Sequence, residues 1–196
     1  MAVYPSTWLE RRGREPASDL DLVVLLLNSL DLVADPPDRL TRIDWYREVL
    51  SELGHDDIAM ALRPEDLAGL RELRETLRGV FEADSEAGAA AILNPMLARV
   101  PAVPQLVLDA DTVELRVSPR ERGLRALEAR LPAALAAHVA ERGLSRLGTC
   151  AAHPCRCGFI DHTRGRTRRF CCTQCNDRAA AKQYRRRKIK PRSSAA

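Results

Sequence analysis

The period of apolar positions along the chain changes twice. Asp19 to Leu32, built on the apolar run Leu22 to Leu27, reads as a buried helix with Ser18 as its N-cap. After a loop holding Pro36 and Pro37, Thr41 opens a second helix, Ile43 to Leu53. Its apolar residues Ile43, Tyr46, Val49, Leu50 and Leu53 recur at helical spacing, and Gly54 closes it. Pro64, Glu65 and Asp66 suit a helix N-terminus. Beyond them Leu67, Leu70, Leu73, Leu77, Val80 and Phe81 form one stripe, with Arg71, Arg74 and Arg78 on a neighbouring face. A fourth helix starts near Ser85 and runs into the nineties, where Pro95 is expected to kink it. Alternation of period two then takes over: Gln105 to Asp109 and Thr112 to Val117 predict one hairpin around Asp-Ala-Asp. Helical spacing returns between Pro119 and Glu141, carried by Leu124, Leu127, Leu131, Leu135 and Val139.

This pattern predicts a mainly α chain. Residues 1–17 are a lead-in, 18–144 a helical domain with one small β-hairpin, and 145–196 a separate module. Composition adds a charge asymmetry. Residues 145–196 hold 14 of the 31 Lys/Arg and only Asp161 and Asp177 of the 27 acids, a net +12 against −8 for residues 1–144. A basic tail on an acidic body points to a polyanion partner; a solubilising tail is the competing reading. The apolar run Leu22 to Leu27 is too short for a membrane span and lacks the basic flank of a secretory signal, so a cytoplasmic protein with reduced thiols is expected.

All six cysteines lie between 150 and 175. Such a cluster in one end of a reducing-compartment chain indicates metal rather than disulfides. Zinc takes four soft ligands in a tetrahedron, which two short cysteine pairs about fifteen residues apart can supply. Spacing favours Cys150, Cys155, Cys171 and Cys175, with Cys157 and Cys172 as the competing pair. His153 and His162 read as loop histidines. Phe159 to Asp161 and Arg168 to Phe170 are expected to form a hairpin turning at Arg164-Gly165-Arg166. Four thiolates leave no open coordination position, so the zinc would be structural, replacing a core that this polar segment cannot build.

After Cys175 a helix carries Arg178, Lys182, Arg185 and Arg186 three or four residues apart. These cations, with Arg164, Arg166, Arg168 and Arg169, are the candidate nucleic-acid contacts. In the body, Asn28, Arg71, Arg74 and Arg78 could line an anion pocket. The competing reading makes Asn28 a helix-end cap and pairs the arginines with Glu72, Glu75 and Glu82 on a solvated face. No Ser/His/Asp set, phosphate loop or paired carboxylates emerge, and His55, His138, His153 and His162 are scattered, so no catalytic role is expected.

Phe159-Ile-Asp161, Arg168-Arg169-Phe170-Cys171 and Cys175-Asn176-Asp177-Arg178 resemble, in order, the hallmark of the CGNR zinc-finger family of bacterial proteins. The resemblance implies a treble-clef-like finger with Cys150, Cys155, Cys171 and Cys175 as ligands. The chain departs from the family in reading Cys-Asn-Asp-Arg, and its Cys171-to-Cys175 spacing is one residue short of the commonest form. Leu25-Leu-Leu-Asn28-Ser29 and Leu70-Arg71-Glu-Leu73-Arg74 resemble the ABATE domain that precedes this finger, a mostly helical domain of stress-induced transcription regulators. Together these imply a DNA-binding regulator in a stress response, with a body that dimerises or senses a small-molecule effector. An RNA-binding or protein-interaction adaptor using the same zinc module is the alternative.

Overall fold

The computed structural model describes residues 17–99, 102–109, 112–119 and 122–189. The expected lead-in, apart from Ala17, lies outside the described residues, as do positions 110 and 111 of the hairpin turn. Among the described residues the chain forms seven α-helices, a two-stranded hairpin and a second, shorter one near the cysteines. No helix among them is long and apolar enough to cross a membrane.

Helix α1 (Asp19–Leu27) begins at a capping box. The Ser18 hydroxyl accepts the Asp21 amide at 3.3 Å, and the Asp21 carboxylate accepts the Ser18 amide at 3.1 Å. It stops with the apolar run at Leu27, five residues short of the expected Leu32. The Ser29 hydroxyl donates to the Leu26 carbonyl at 2.7 Å, and Leu30 bridges to Asp38, so the chain turns away at the polar pair Asn28-Ser29. Helix α2 (Ile43–Glu52) ends at Leu53, and Gly54 follows with φ +82°. Helix α3 (Asp56–Ala61) went unpredicted because two turns are too short to show a period; Ile58 and Ala59 are its buried residues.

A single 3₁₀ turn, Pro64–Asp66, leads into α4 (Leu67–Phe81), whose predicted stripe turns Leu70, Leu73, Leu77, Val80 and Phe81 inward. Helix α5 (Glu86–Arg99) carries Pro95 within it. Strands β1 (Ala102–Asp109) and β2 (Thr112–Pro119) pair antiparallel, Leu106 opposite Leu115 and Leu108 opposite Val113. The next helix, α6 (Leu124–Arg142), starts five residues later than expected, because the strand carries through Pro119 and Gly123 makes the turn at φ +60°.

The core closes around α1, which packs on α4 and α6. Leu22, Leu26, Leu27, Tyr46, Leu50, Leu70, Leu77, Leu127 and Leu131 are fully buried there. Gly123 is pinned twice: by its positive φ and by the Ala61 carbonyl, which lies 2.8 Å from where a Cβ would sit. Gly123→Ala is therefore expected to lower stability by about 1–3 kcal/mol in urea unfolding. A change within a few tenths would show that the entry to α6 can move.

Candidate metal centre and basic helix

The C-terminal module is built from two short strands, a loop and one helix. Strands β3 (Leu147–Thr149) and β4 (Gly158–Ile160) pair antiparallel, and the segment between them forms the first cysteine knuckle. Within the knuckle the Cys150 amide donates to the Cys157 carbonyl and the Cys155 amide to the Ala152 carbonyl, both at 2.9 Å. The pairing differs from the expected one: Phe159 and Ile160 face Gly148 and Leu147, and residues 168–170 are irregular. The reason lies in Asp161. Its carboxylate accepts the Thr163 amide at 2.8 Å, the Thr163 hydroxyl at 2.6 Å and the Arg168 amide at 2.9 Å, which holds the loop in place of a ladder. The Thr163 hydroxyl bond, with these amides and Arg146, holds the Asp161 carboxyl below its usual range.

This loop delivers Cys171 and Cys172 to the head of helix α7 (Thr173–Ile189), whose first turn contains Cys175. The ligand atoms of Cys150, Cys155, Cys171 and Cys175 all lie within 4.8 Å of one another. Cys171 Sγ lies 3.7 Å from Cys155 Sγ and 3.5 Å from Cys175 Sγ. A tetrahedron of thiolates at the usual Zn–S distance has sulfur edges of about 3.8 Å. The donor set thus has the chemistry and spacing of a closed four-sulfur zinc site. Backbone amides of Cys171 and Cys157 approach the sulfurs of Cys150 and Cys155, each at 3.5 Å, as supporting donors to thiolates do. Crowding shapes the thiols as well. Burial pushes Cys175 up to about 12, and hydrogen bonding with Cys155 and Cys157 pushes Cys171 up as well. Holding all four as thiolates would take a divalent cation between them.

Cys157 is buried behind Cys155, and Cys172 is half-buried with its sulfur 3.8 Å from that of Cys171; neither joins the four. His153 and His162 are exposed and apart from it.

The basic residues divide into two groups. Arg168 turns inward: it donates to the carbonyls of Phe170 at 3.0 Å, Ile160 at 3.3 Å and Cys171, and lies 4.9 Å from the centre of the Phe159 ring. Arg178 also turns inward, its Nη2 3.2 Å from Cys175 Sγ and 3.3 Å from the Ala152 carbonyl. These two arginines, expected among the phosphate contacts, bond within the module. Arg166 donates to the Ser145 hydroxyl at 2.8 Å from an exposed position, and Arg169 lies over Phe170. Arg164, Lys182, Arg185 and Arg186 are exposed.

The body residues suspected of binding an anion are engaged within the chain. Arg74 is only 4 % exposed, not on a solvated face: its guanidinium meets both carboxylate oxygens of Asp38 at 2.8 and 3.0 Å and also reaches Ser29 and Glu75. Burial alone would lower the Arg74 guanidinium, but the bonds to Asp38 and Glu75 outweigh it and raise it. Arg71 donates to the Leu40 carbonyl at 2.5 Å. Asn28 reaches the finger: its amide donates to the Gly158 carbonyl at 3.0 Å while its oxygen accepts the Gly158 amide at 2.8 Å. Arg78 completes this clasp, donating to the Leu27 carbonyl in the body and the Arg156 carbonyl in the knuckle, both at 2.8 Å. Gly158 allows the approach, since a Cβ there would lie 3.0 Å from Leu27 and 3.3 Å from Phe81. The sequence offered no sign of these contacts across 78 to 130 residues beyond an asparagine ending an apolar helix.

Two family models match the chain, one after the other, and overlap over residues 146–152. Residues 20–152 match the model of the ABATE family, described as "Putative stress-induced transcription regulator". Residues 146–188 match the model of the CGNR zinc finger. No curated protein matches the chain.

Proposed function

The chain belongs to the ABATE family and carries a CGNR zinc finger, and from that premise we propose that it is a DNA-binding transcription regulator. In this reading a structural zinc held by Cys150, Cys155, Cys171 and Cys175 fixes the base of α7, and α7 carries the cations to the nucleic acid. The observation that carries the reading is the division among the basic residues. Arg168 and Arg178 are bound into the module, whereas Lys182, Arg185 and Arg186 project from a helix rooted at the cysteine cluster. Long cations on an anchored helix can follow phosphates; the sequence-independent part of such binding comes from counterion release. The family description supports regulation, and the +12 charge of residues 145–196 supports a polyanion as the target.

The test is duplex binding by fluorescence anisotropy across a salt series. Affinity is expected to fall steeply with salt. The combined change Lys182→Ala, Arg185→Ala and Arg186→Ala is expected to reduce the slope of log K against log salt by about 2–3 while zinc stays bound. Binding that ignores salt, or a triple variant with the wild-type slope, would remove the basis of the proposal. RNA displacing duplex DNA in competition would turn the reading toward an RNA-binding module.

A further inference from the structure

The hairpin stands out from an otherwise helical body. Leu106, Leu108 and Val113 are 69 %, 75 % and 62 % exposed, and the register sets Leu108 against Val113 on one rung. The sheet has two strands only among the described residues, and α6 touches β2. An isolated two-stranded hairpin is marginal in water, and an open edge is a template for another strand. The two edges are unequal. Strand β1 includes Pro104, which has no amide to donate. Strand β2 is free of proline until its last residue.

The sequence of β2 is self-complementary. Read about Leu115, Thr-Val-Glu-Leu-Arg-Val-Ser sets Glu114 against Arg116, Val113 against Val117 and Thr112 against Ser118. In the register of the hairpin Glu114 stands opposite Val107 and Arg116 opposite Gln105. We propose that β2 pairs antiparallel with β2 of a second copy about a two-fold axis at Leu115, joining two hairpins into one four-stranded sheet. In that register Glu114 meets Arg116 of the second copy twice, valine meets valine and leucine meets leucine. Parallel in-register pairing would set glutamate against glutamate and arginine against arginine, which is unfavourable. The charges therefore select one register and one direction. The same palindrome gives an isologous interface, the form a closed dimer requires. This inference is independent of the proposed function.

Sedimentation of the full zinc-loaded chain over a concentration series tests it. The wild type is expected to dimerise. Glu114→Arg sets arginine against arginine, and Arg116→Glu sets glutamate against glutamate. Each reversal alters two symmetry-related pairs and is expected to raise the dimer dissociation constant about tenfold or more. Mixing the two variants in equal amounts restores both pairings and is expected to recover a heterodimer. The double variant E114R/R116E is expected to recover the homodimer. Recovery on mixing also shows that each single variant is folded. A chain that stays monomeric up to its solubility limit overturns the proposal. So does a dimer that the single reversals leave unchanged, or single variants that stay apart when mixed.

Discussion

Cys175→Ser is expected to abolish stoichiometric zinc binding, whereas Cys172→Ser is expected to leave one zinc per chain. The contrast follows from position. Cys175 Sγ lies among four sulfurs within 4.8 Å of one another, while Cys172 stands outside that group although it adjoins Cys171. Loss of a supporting partner outside the coordination sphere typically costs 10–100-fold in metal affinity. Loss of a ligand is expected to cost more than about 100-fold. The consequence extends to folding. Besides four cysteines, the module buries few apolar side chains: Ala152, Phe159 and Ile160. Metal binding is then a large share of its folding free energy. Chelator titration with native mass spectrometry counts the zinc, and circular dichroism follows α7. Equal loss from both variants would mean that Cys172 belongs in the ligand set.

Opening the clasp between body and finger should separate two events that are joined in the wild type. In the wild-type chain, chelating zinc is expected to lower the unfolding temperature of the body as well as the finger. Asn28 and Arg78 make four hydrogen bonds that bind Gly158, Arg156 and Leu27 into one unit. Binding that stabilises one part of a cooperative unit stabilises all of it. Arg78→Met keeps the apolar stem but strips two carbonyls of their charged donor. Burial holds the Arg78 guanidinium below its ordinary range, so part of the loss is offset by relief of desolvation. A net cost of about 2–4 kcal/mol is expected. Asn28→Ala is expected to cost about 2 kcal/mol. Trp45 packs against the body's core, so in a Trp8→Phe background its fluorescence reports the body while zinc release reports the finger. The two transitions are expected to coincide in the wild type and to part in either variant. Coincident transitions in Arg78→Met would show that the modules are coupled through other contacts.

What could be read from the sequence followed the range of each interaction. The Leu67-to-Phe81 stripe, the capping box at Ser18 and the hairpin are local, and each lies close to where pattern places it. The four-sulfur cluster was legible because the knuckle and the helix start are two short-range signals that zinc chemistry joins. Partner choice was not legible. Arg71, Arg74 and Arg78 look alike in sequence, four or three residues apart on one helix. Yet Arg74 meets Asp38, Arg78 spans two modules, and Arg71 bonds the Leu40 carbonyl. The same holds for Arg168 and Lys182: charge is visible in a sequence, but which cations are already committed depends on carbonyls that only the folded chain brings near. Strand pairing failed for a related reason. The preference of Phe159 and Ile160 for extended backbone was visible, but a carboxylate at Asp161 sent their partnership back to β3.

The bond from Arg178 to Cys175 has an electrostatic consequence. Four thiolates around a divalent ion leave a net charge of about −2. With the ion bound, that charge would sit at the root of the very helix proposed to approach phosphates, where it would repel them. Arg178 lies directly on one of its sulfurs, and the Cys171 amide on another. On the proposed function, the cations farther along α7 would act on a phosphate partner through a field from which Arg178 removes part of the metal centre's negative charge. Arg178 would then serve the interface without having to touch it.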